Sequence, residues 1–119
     1  MRRRGKPPVA RAAIERRRAT ITAEIAALGL PLPGSLVGRT TRCGNPGCRC
    51  NADPPQLHGP YLSWTRKVEN KTVTRTLTPD QADRLQPLLD NARRLRELAT
   101  ELETLALQTV ENDPALPRP

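Results

Sequence analysis

Three cysteines and the only histidine of the chain fall within sixteen residues, and this cluster constrains the fold more than any other feature. Cys43, Cys48 and Cys50 are followed by His58, with four, one and seven residues between successive members. Three thiols and one imidazole supply the four ligands that a closed, tetrahedral structural zinc site requires. We therefore predict that Cys43, Cys48, Cys50 and His58 bind Zn²⁺.

The residues between the cysteines are typical of a tightly curled loop. Gly44 and Gly47 are expected to adopt a positive φ or to allow close backbone approach, and Pro46 fixes the turn. Two alternatives to a zinc site stay open. In the first, the cysteines form an ordinary reduced loop, with the histidine in a turn before Gly59. In the second, neighbouring arginines lower thiol pKa values for a redox or iron role.

Composition explains why a metal would matter. Only 36% of the residues are hydrophobic, and the chain has no Phe, one Trp and one Tyr, so packing alone supplies a small core. An odd number of clustered cysteines indicates reduced thiols, which favours a cytoplasmic location. No run approaches the roughly 18 to 20 apolar residues of a membrane span, so no membrane association is expected.

The first third of the chain predicts a disordered arm and then a helix. Residues 1–8 form a basic arm with little to bury, and residues 9–33 combine a basic helix with a Pro-rich linker. Ile14, Ile21, Ile25 and Leu28 recur at helical spacing and define one apolar stripe. Gly29 and two following prolines predict the end of the helix.

Residues 34–78 predict the Cys3His knuckle and a small antiparallel sheet. Residues 35–41 are β-prone, and residues 61–65 and 72–77 alternate apolar and polar residues. Residues 69–71 are expected to form the hairpin turn between the last two runs. Leu62, Trp64 and Val68 would share one face of their strand.

Residues 79–111 predict a long helix with a heptad pattern, and residues 112–119 a disordered tail. Thr78, Pro79 and Gln81 form a helix start with a capping box, whereas Pro87 threatens the early helix. The helix either folds back on the first helix or forms a coiled coil with a second copy. The fold class is therefore α+β: an N-terminal helix, a three-stranded antiparallel sheet with a zinc knuckle, and a long C-terminal helix. The seam residues of the predicted interaction helix are Leu85, Leu88, Ala92, Leu95, Ala99, Leu102 and Ala106.

The distribution of charge predicts an anionic partner. The chain has a formal charge of +8, and residues 1–78 hold 15 Lys or Arg against 4 acids. Such a balance favours nucleic acid, DNA more than RNA, although each single arginine has the simpler interpretation of a solvated surface residue. The cations assigned to nucleic-acid contact are Arg2, Arg3, Arg4, Lys6, Arg11, Arg16, Arg17, Arg18, Arg39, Arg42, Arg49, Arg66 and Lys67.

Three segments carry a resemblance to a known family. Residues 34–37 (GSLV), 42–50 (RCGNPGCRC) and 58–61 (HGPY) resemble a family of small uncharacterised bacterial and archaeal proteins, many of them encoded near integrases and transposases of mobile elements. The resemblance covers roughly residues 34–105. It implies metal binding and accessory work on DNA. Relatives often have a second aromatic after the HGPY tyrosine, where this chain has Leu62.

No catalytic motif is recognisable, and the single histidine is assigned to metal, so we expect a protein that is not an enzyme. The main expectation is a DNA-binding accessory or regulatory protein, with a link to a mobile element. The alternative is an adaptor whose heptad helix binds a protein such as a recombinase or transposase, with the charge serving encounter only.

Overall fold

The computed structural model describes residues 9–118 and confirms the predicted α+β class. The predicted arm at residues 1–8 lies outside the described part. Along the sequence, a three-stranded sheet lies between two helices. The elements are α1 (Arg11–Ala27), β1 (Ser35–Thr41), a short 3-10 turn (Arg49–Asn51), β2 (His58–Val68), β3 (Lys71–Leu77) and α2 (Pro79–Asn112).

The chain divides into two compact units. The helical unit comprises residues up to 29 and from 93 onwards, and the sheet unit comprises residues 30–92. Helix α2 contributes its first turns to the sheet unit and its remainder to the helical unit. Within residues 9–118, no helix combines the length and apolar character that a membrane span needs.

The helical unit is an antiparallel helix pair. Ile14 and Ile21 of α1 are buried, and so is Leu98 of α2, which confirms the first part of the predicted α1 stripe. Residues successively nearer the start of the chain in and before α1 pair with residues successively further along α2, as expected for antiparallel helices. The pairs are Glu24 with Arg94, Arg17 with Glu101, and the Val9 carbonyl with Asn112. The long helix therefore folds back on α1 within one chain.

The sheet unit has the strand order β1-β2-β3 with antiparallel pairing throughout. Glu69 and Asn70 connect β2 to β3 with φ values of 50° and 68°. Two consecutive positive φ values are typical of the two-residue turn that matches strand twist, so the predicted hairpin is confirmed. The strand β2 begins at His58, three residues earlier than the alternating pattern indicates.

Several contacts join the linker and α2 within the sheet unit. Leu32 donates its backbone N–H to the Leu88 carbonyl at 3.0 Å, and the Asn91 side chain donates to the Leu30 carbonyl at 3.1 Å. Thr78 and Gln81 exchange the two hydrogen bonds of a capping box. Helix α2 runs through Pro87 without ending there.

The buried positions of α2 differ from the predicted heptad seam. Leu85, Leu88, Leu95 and Leu102 are half-buried and Ala92 is buried, but Ala99 and Ala106 lie at the surface. Leu89 and Leu98 are instead among the buried residues. They are nine residues, or about two and a half helical turns, apart, so a single seam cannot contain both. After Asn112 the chain makes a turn in which Ala115 donates its N–H to the Asp113 carboxylate.

Candidate metal centre

The four predicted ligands come from a loop and a strand. Cys43 and Cys48 lie in the loop after β1, Cys50 lies in the 3-10 turn, and His58 is the first residue of β2. Strand pairing places the histidine, because His58 lies opposite Thr41, two residues before the first cysteine. Exposure falls across the set: Cys43 is exposed, Cys48 and His58 are half-buried and Cys50 is fully buried.

The donor atoms converge. One ligand atom from each residue lies within 4.8 Å of all the others, and these residues are the metal-capable cluster found within residues 9–118. The Sγ atoms of Cys43 and Cys50 are 3.5 Å apart, and Cys48 Sγ lies 3.1 Å from His58 Nε2. Zinc bonds of about 2.3 Å to sulfur and 2.0–2.1 Å to nitrogen require donor separations of roughly 3.5–3.8 Å. The donor set therefore fits a tetrahedral ion after shifts of up to about 1 Å in donor separation.

Asn45 shapes the loop, and sequence reasoning missed it. Its side-chain oxygen accepts the Gly47 N–H at 3.0 Å, and its carbonyl accepts the Cys48 N–H at 3.0 Å and the Asn51 side-chain amide at 2.9 Å. Asparagine side chains often stabilise such turns. The Asn-Pro-Gly sequence was the signal that could have identified this role.

Gly44 and Gly47 were predicted to need a positive φ or close backbone approach, and both forms of this prediction are wrong. In the described residues the glycines with positive φ are Gly34 and Gly59. A Cβ added to Gly44 would meet nothing within 4 Å. The curled shape of this loop is instead held by hydrogen bonds to Asn45. A Cβ at Gly59 would lie 2.8 Å from the Arg39 carbonyl oxygen, so glycine is required beside His58.

Hydrogen bonds and burial shift the pKa values of two of the thiols in opposite directions. The Cys50 backbone N–H and the neighbouring Cys50 and Cys43 thiols lower the pKa of Cys48 to about 6. The Cys43 N–H, 3.2 Å from Cys50 Sγ, acts to lower the pKa of Cys50, but burial and the adjacent thiols raise it on balance. A thiolate at Cys48 is the form that binds a metal ion.

This arrangement could provide a closed coordination shell. Four protein donors would fill the positions of a tetrahedral ion and leave none for water or substrate. A bound ion would join the loop after β1 to the first residue of β2. The N–H group directed at Cys50 Sγ is the kind of outer contact that orients a metal ligand.

The predicted nucleic-acid cations are distributed over both units. Arg2, Arg3, Arg4 and Lys6 lie outside the described residues. On α1, Arg17 pairs with Glu101 and Arg18 with Glu15, whereas Arg11 and Arg16 form no ion pair within residues 9–118. In the sheet unit the remaining cations also lack ion pairs in the described chain. They are Arg39 in β1, Arg42 and Arg49 around the metal loop, and Arg66 and Lys67 on opposite faces of β2.

Comparison with known proteins identifies a family. A family profile described as a domain of unknown function (DUF6788) matches residues 11–87. These residues include α1, the three strands, the first turns of α2 and the four metal-capable residues. None of the curated proteins and none of the solved structures matches the chain. The predicted family signature and its genomic neighbourhood stay predictions.

Proposed function

We propose that this chain, which belongs to the DUF6788 family, is a non-enzymatic nucleic-acid-binding protein built around a structural zinc ion. DNA is the preferred partner, and the role is accessory or regulatory, with a link to a mobile element. Zn²⁺ would be held by Cys43, Cys48, Cys50 and His58. The sheet unit supports the metal site and the phosphate contacts of this proposal, as follows.

The convergence of four donor atoms within 4.8 Å is the observation that carries the proposal. Zinc is the metal proposed because three sulfurs and one imidazole in a tetrahedral set suit it well. The sheet unit also needs such an ion. Its exposed side chains include Val37, Val68 and Val73, so packing contributes little to holding the strands.

The metal loop itself carries free positive charge. Arg42 and Arg49 flank the ligands and are exposed, and neither forms an ion pair within residues 9–118. Residues 34–78 contain seven Lys or Arg against two acids. A loop fixed by a metal ion would present its guanidinium groups at low entropic cost, which favours binding to phosphate.

One face of the sheet adds hydroxyl groups. Lys67 lies opposite Thr72, Thr65 opposite Thr74, and Ser63 opposite Thr76, so these side chains share a face. The three threonines of β3 are exposed. Hydroxyl and ammonium groups are frequent donors to the phosphates and sugars of nucleic acids.

The same geometry argues for a binding protein rather than an enzyme. His58 is the only histidine of the chain, and its Nε2 atom faces the cysteine sulfurs. A closed metal site offers no position at which water could be activated. We therefore assign the ion a structural role.

A salt titration of the zinc-loaded chain with a labelled DNA duplex tests the proposal. Affinity should fall steeply as salt rises, with unlabelled RNA competing less well than DNA. Arg42→Ala should weaken binding and reduce the salt slope by about 1. Arg96→Ala, which removes the same charge from an exposed site on α2, serves as the matched control. Absence of binding at low salt would refute the proposal.

The exposed end of α2 favours a second candidate, a protein-interaction adaptor. Leu107 is 67% exposed and Val110 47% exposed, and both line a shallow cavity of about 420 Å³ with Glu103 and Ala106. Here the chain would bind a recombinase or transposase, or a second copy of itself. The solution mass, followed by the effect of Leu107→Ser on partner binding, distinguishes this role from DNA binding.

A further inference from the structure

Two arginines share the single tryptophan of the chain. Trp64 of β2 lies directly opposite Arg75 of β3, and Arg66 follows two residues later on the same face. The guanidinium carbons lie 5.2 Å (Arg66) and 5.5 Å (Arg75) from the centre of the indole ring. The indole N–H donates to the Pro33 carbonyl at 2.9 Å, which fixes the ring beneath both cations.

These guanidinium groups have no acidic partner. Within residues 9–118, Arg66 and Arg75 form no ion pair, although Arg17, Arg18 and Arg94 of the helical unit all pair with glutamates. Two like charges held near one ring repel each other. A bound anion between or beside them would remove that repulsion, so the pair is arranged for an external anion.

A third arginine completes the site. Arg84 of α2 lines the same cavity as Trp64 and Arg75. Its side chain forms no ion pair or hydrogen bond within residues 9–118, not even with the side chain of Asp80 one turn earlier. The cavity has a volume of about 290 Å³, with Gln81 and Leu85 among its other lining residues. This volume lies just below the roughly 300–1,000 Å³ typical of small-molecule sites. It suits a single small anionic group.

We propose that this cleft binds one phosphate group of a nucleic-acid backbone, with Arg75 and Arg84 as the direct ligands and Arg66 as a supporting charge. The inference rests on the proposed function and assigns it a specific contact. Guanidinium groups bind phosphate through two parallel hydrogen bonds, and their planar form allows them to stack on indole at the same time.

The tryptophan in this arrangement is a platform for arginines rather than for bases. The guanidinium carbons of Arg66 and Arg75 lie 5.2 Å and 5.5 Å from the ring centre, so we assign the indole to these arginines and not to base stacking. The cleft would therefore contribute affinity without reading sequence. Its lone indole also makes the site observable, since all tryptophan fluorescence of the chain originates there.

The test compares Arg84→Ala with Arg96→Ala in the zinc-loaded full chain. Both arginines are exposed residues of α2, and both substitutions remove one positive charge, but only Arg84 lines the cleft. Binding of a short labelled DNA duplex is measured by fluorescence anisotropy across salt concentrations. We expect Arg84→Ala to weaken binding about tenfold and to reduce the salt slope by about 1, with Arg96→Ala close to wild type.

Two further readouts keep the outcomes distinct. Binding of the duplex should change the fluorescence emission of Trp64 in the wild-type chain. Arg75→Lys keeps the positive charge but loses the planar guanidinium group, so it should bind the duplex less tightly than wild type. Unchanged melting of Arg84→Ala shows that folding is intact. If wild type binds the duplex but Arg84→Ala and Arg75→Lys bind equally well, the cleft inference is wrong and the proposed function stands. If wild type binds no nucleic acid at low salt, both are wrong.

Discussion

The Nε2 atom of His58 lies 3.1 Å from the Sγ atom of Cys48, although the two residues are ten positions apart and belong to different elements. The histidine begins β2, whereas the cysteine ends the loop shaped by Asn45. Strand pairing and loop geometry are therefore both required for this contact. If Cys48 in the loop and His58 in the strand bind the same ion, the loop and the sheet should fold as one unit.

Removal of one thiol should release the metal and unfold the sheet unit. In Cys48→Ser the ion would lose a thiolate ligand, and structural zinc contributes folding free energy of the order of 10 kcal/mol. The valines of the strands are exposed and contribute little packing energy, so they cannot compensate for the loss of most of this free energy. Thermal melting followed by β-sheet circular dichroism, with and without a chelator, measures the effect.

The control for this substitution is Gln56→Ala, an exposed side chain in the same segment. It should retain metal and melting temperature, because the hydrogen bond of Gln56 to Arg49 involves only the backbone N–H. An equal melting temperature for Cys48→Ser and Gln56→Ala would show that the cysteines form an ordinary loop.

Two glycines near the metal should respond very differently to alanine. Gly59 has a φ of 107°, and a Cβ there would lie 2.7 Å from the Tyr61 nitrogen, so Gly59→Ala should destabilise the fold by roughly 1–3 kcal/mol. Gly44→Ala should be nearly neutral because open space surrounds that position. Chemical denaturation of both variants checks the prediction, and a larger loss for Gly44→Ala would contradict it.

The sequence predicted the ligand set and missed the residues that position it. Cys43, Cys48, Cys50 and His58 were identifiable because their side-chain chemistry is distinctive and their spacing is short. The role of Asn45 was not, because it depends on which backbone groups the folded loop brings to one amide. The same limit explains why positive φ was assigned to the wrong glycines.

The long helix shows a second limit of sequence analysis. Its existence and its capping box followed from local rules, and both are confirmed. A regular heptad pattern also predicted one continuous seam, but the helix contributes to two units, and Ala99 and Ala106 lie at the surface. The sequence periodicity of a helix shows which of its positions are apolar, but it does not show which part of the protein packs against each helical turn.

The ion pair between Glu24 and Arg94 should make the helical unit sensitive to acid. The hydrogen bond from Arg94 is the main cause that lowers the pKa of Glu24 below its ordinary value of 4.5. The stabilisation is therefore fully present above that ordinary value and is lost as pH falls through the lowered pKa. Glu24→Gln should melt at a lower temperature than wild type at about pH 7, and the difference should shrink at about pH 3.

The control for this pH dependence is Glu103→Gln. Glu103 is an exposed acid of α2 that forms no ion pair in the described chain, so its substitution should have little effect at either pH. A difference between Glu24→Gln and wild type that persists undiminished in acid would contradict the assignment.

One buried amide oxygen is expected to cost stability. Among the described residues, Gln108 Oε1 is the buried side-chain oxygen or nitrogen without a hydrogen-bond partner. Gln108→Met keeps the shape and removes the unsatisfied atom, so it should stabilise the chain by about 1 kcal/mol. The comparison is Gln86→Met. The side-chain amide of Gln86 donates a hydrogen bond to Asp90 at 2.9 Å, so its removal should not stabilise the chain. Urea denaturation of both variants decides the matter.

The zinc content of the purified chain tests the central claim most directly. Mass spectrometric metal analysis should find one zinc ion per wild-type chain, and His58→Ala should hold it far more weakly against a chelator, because one of the four donors that converge within 4.8 Å is removed. Wild-type protein without zinc, or a His58→Ala variant that retains the ion as firmly as wild type does, would contradict the account.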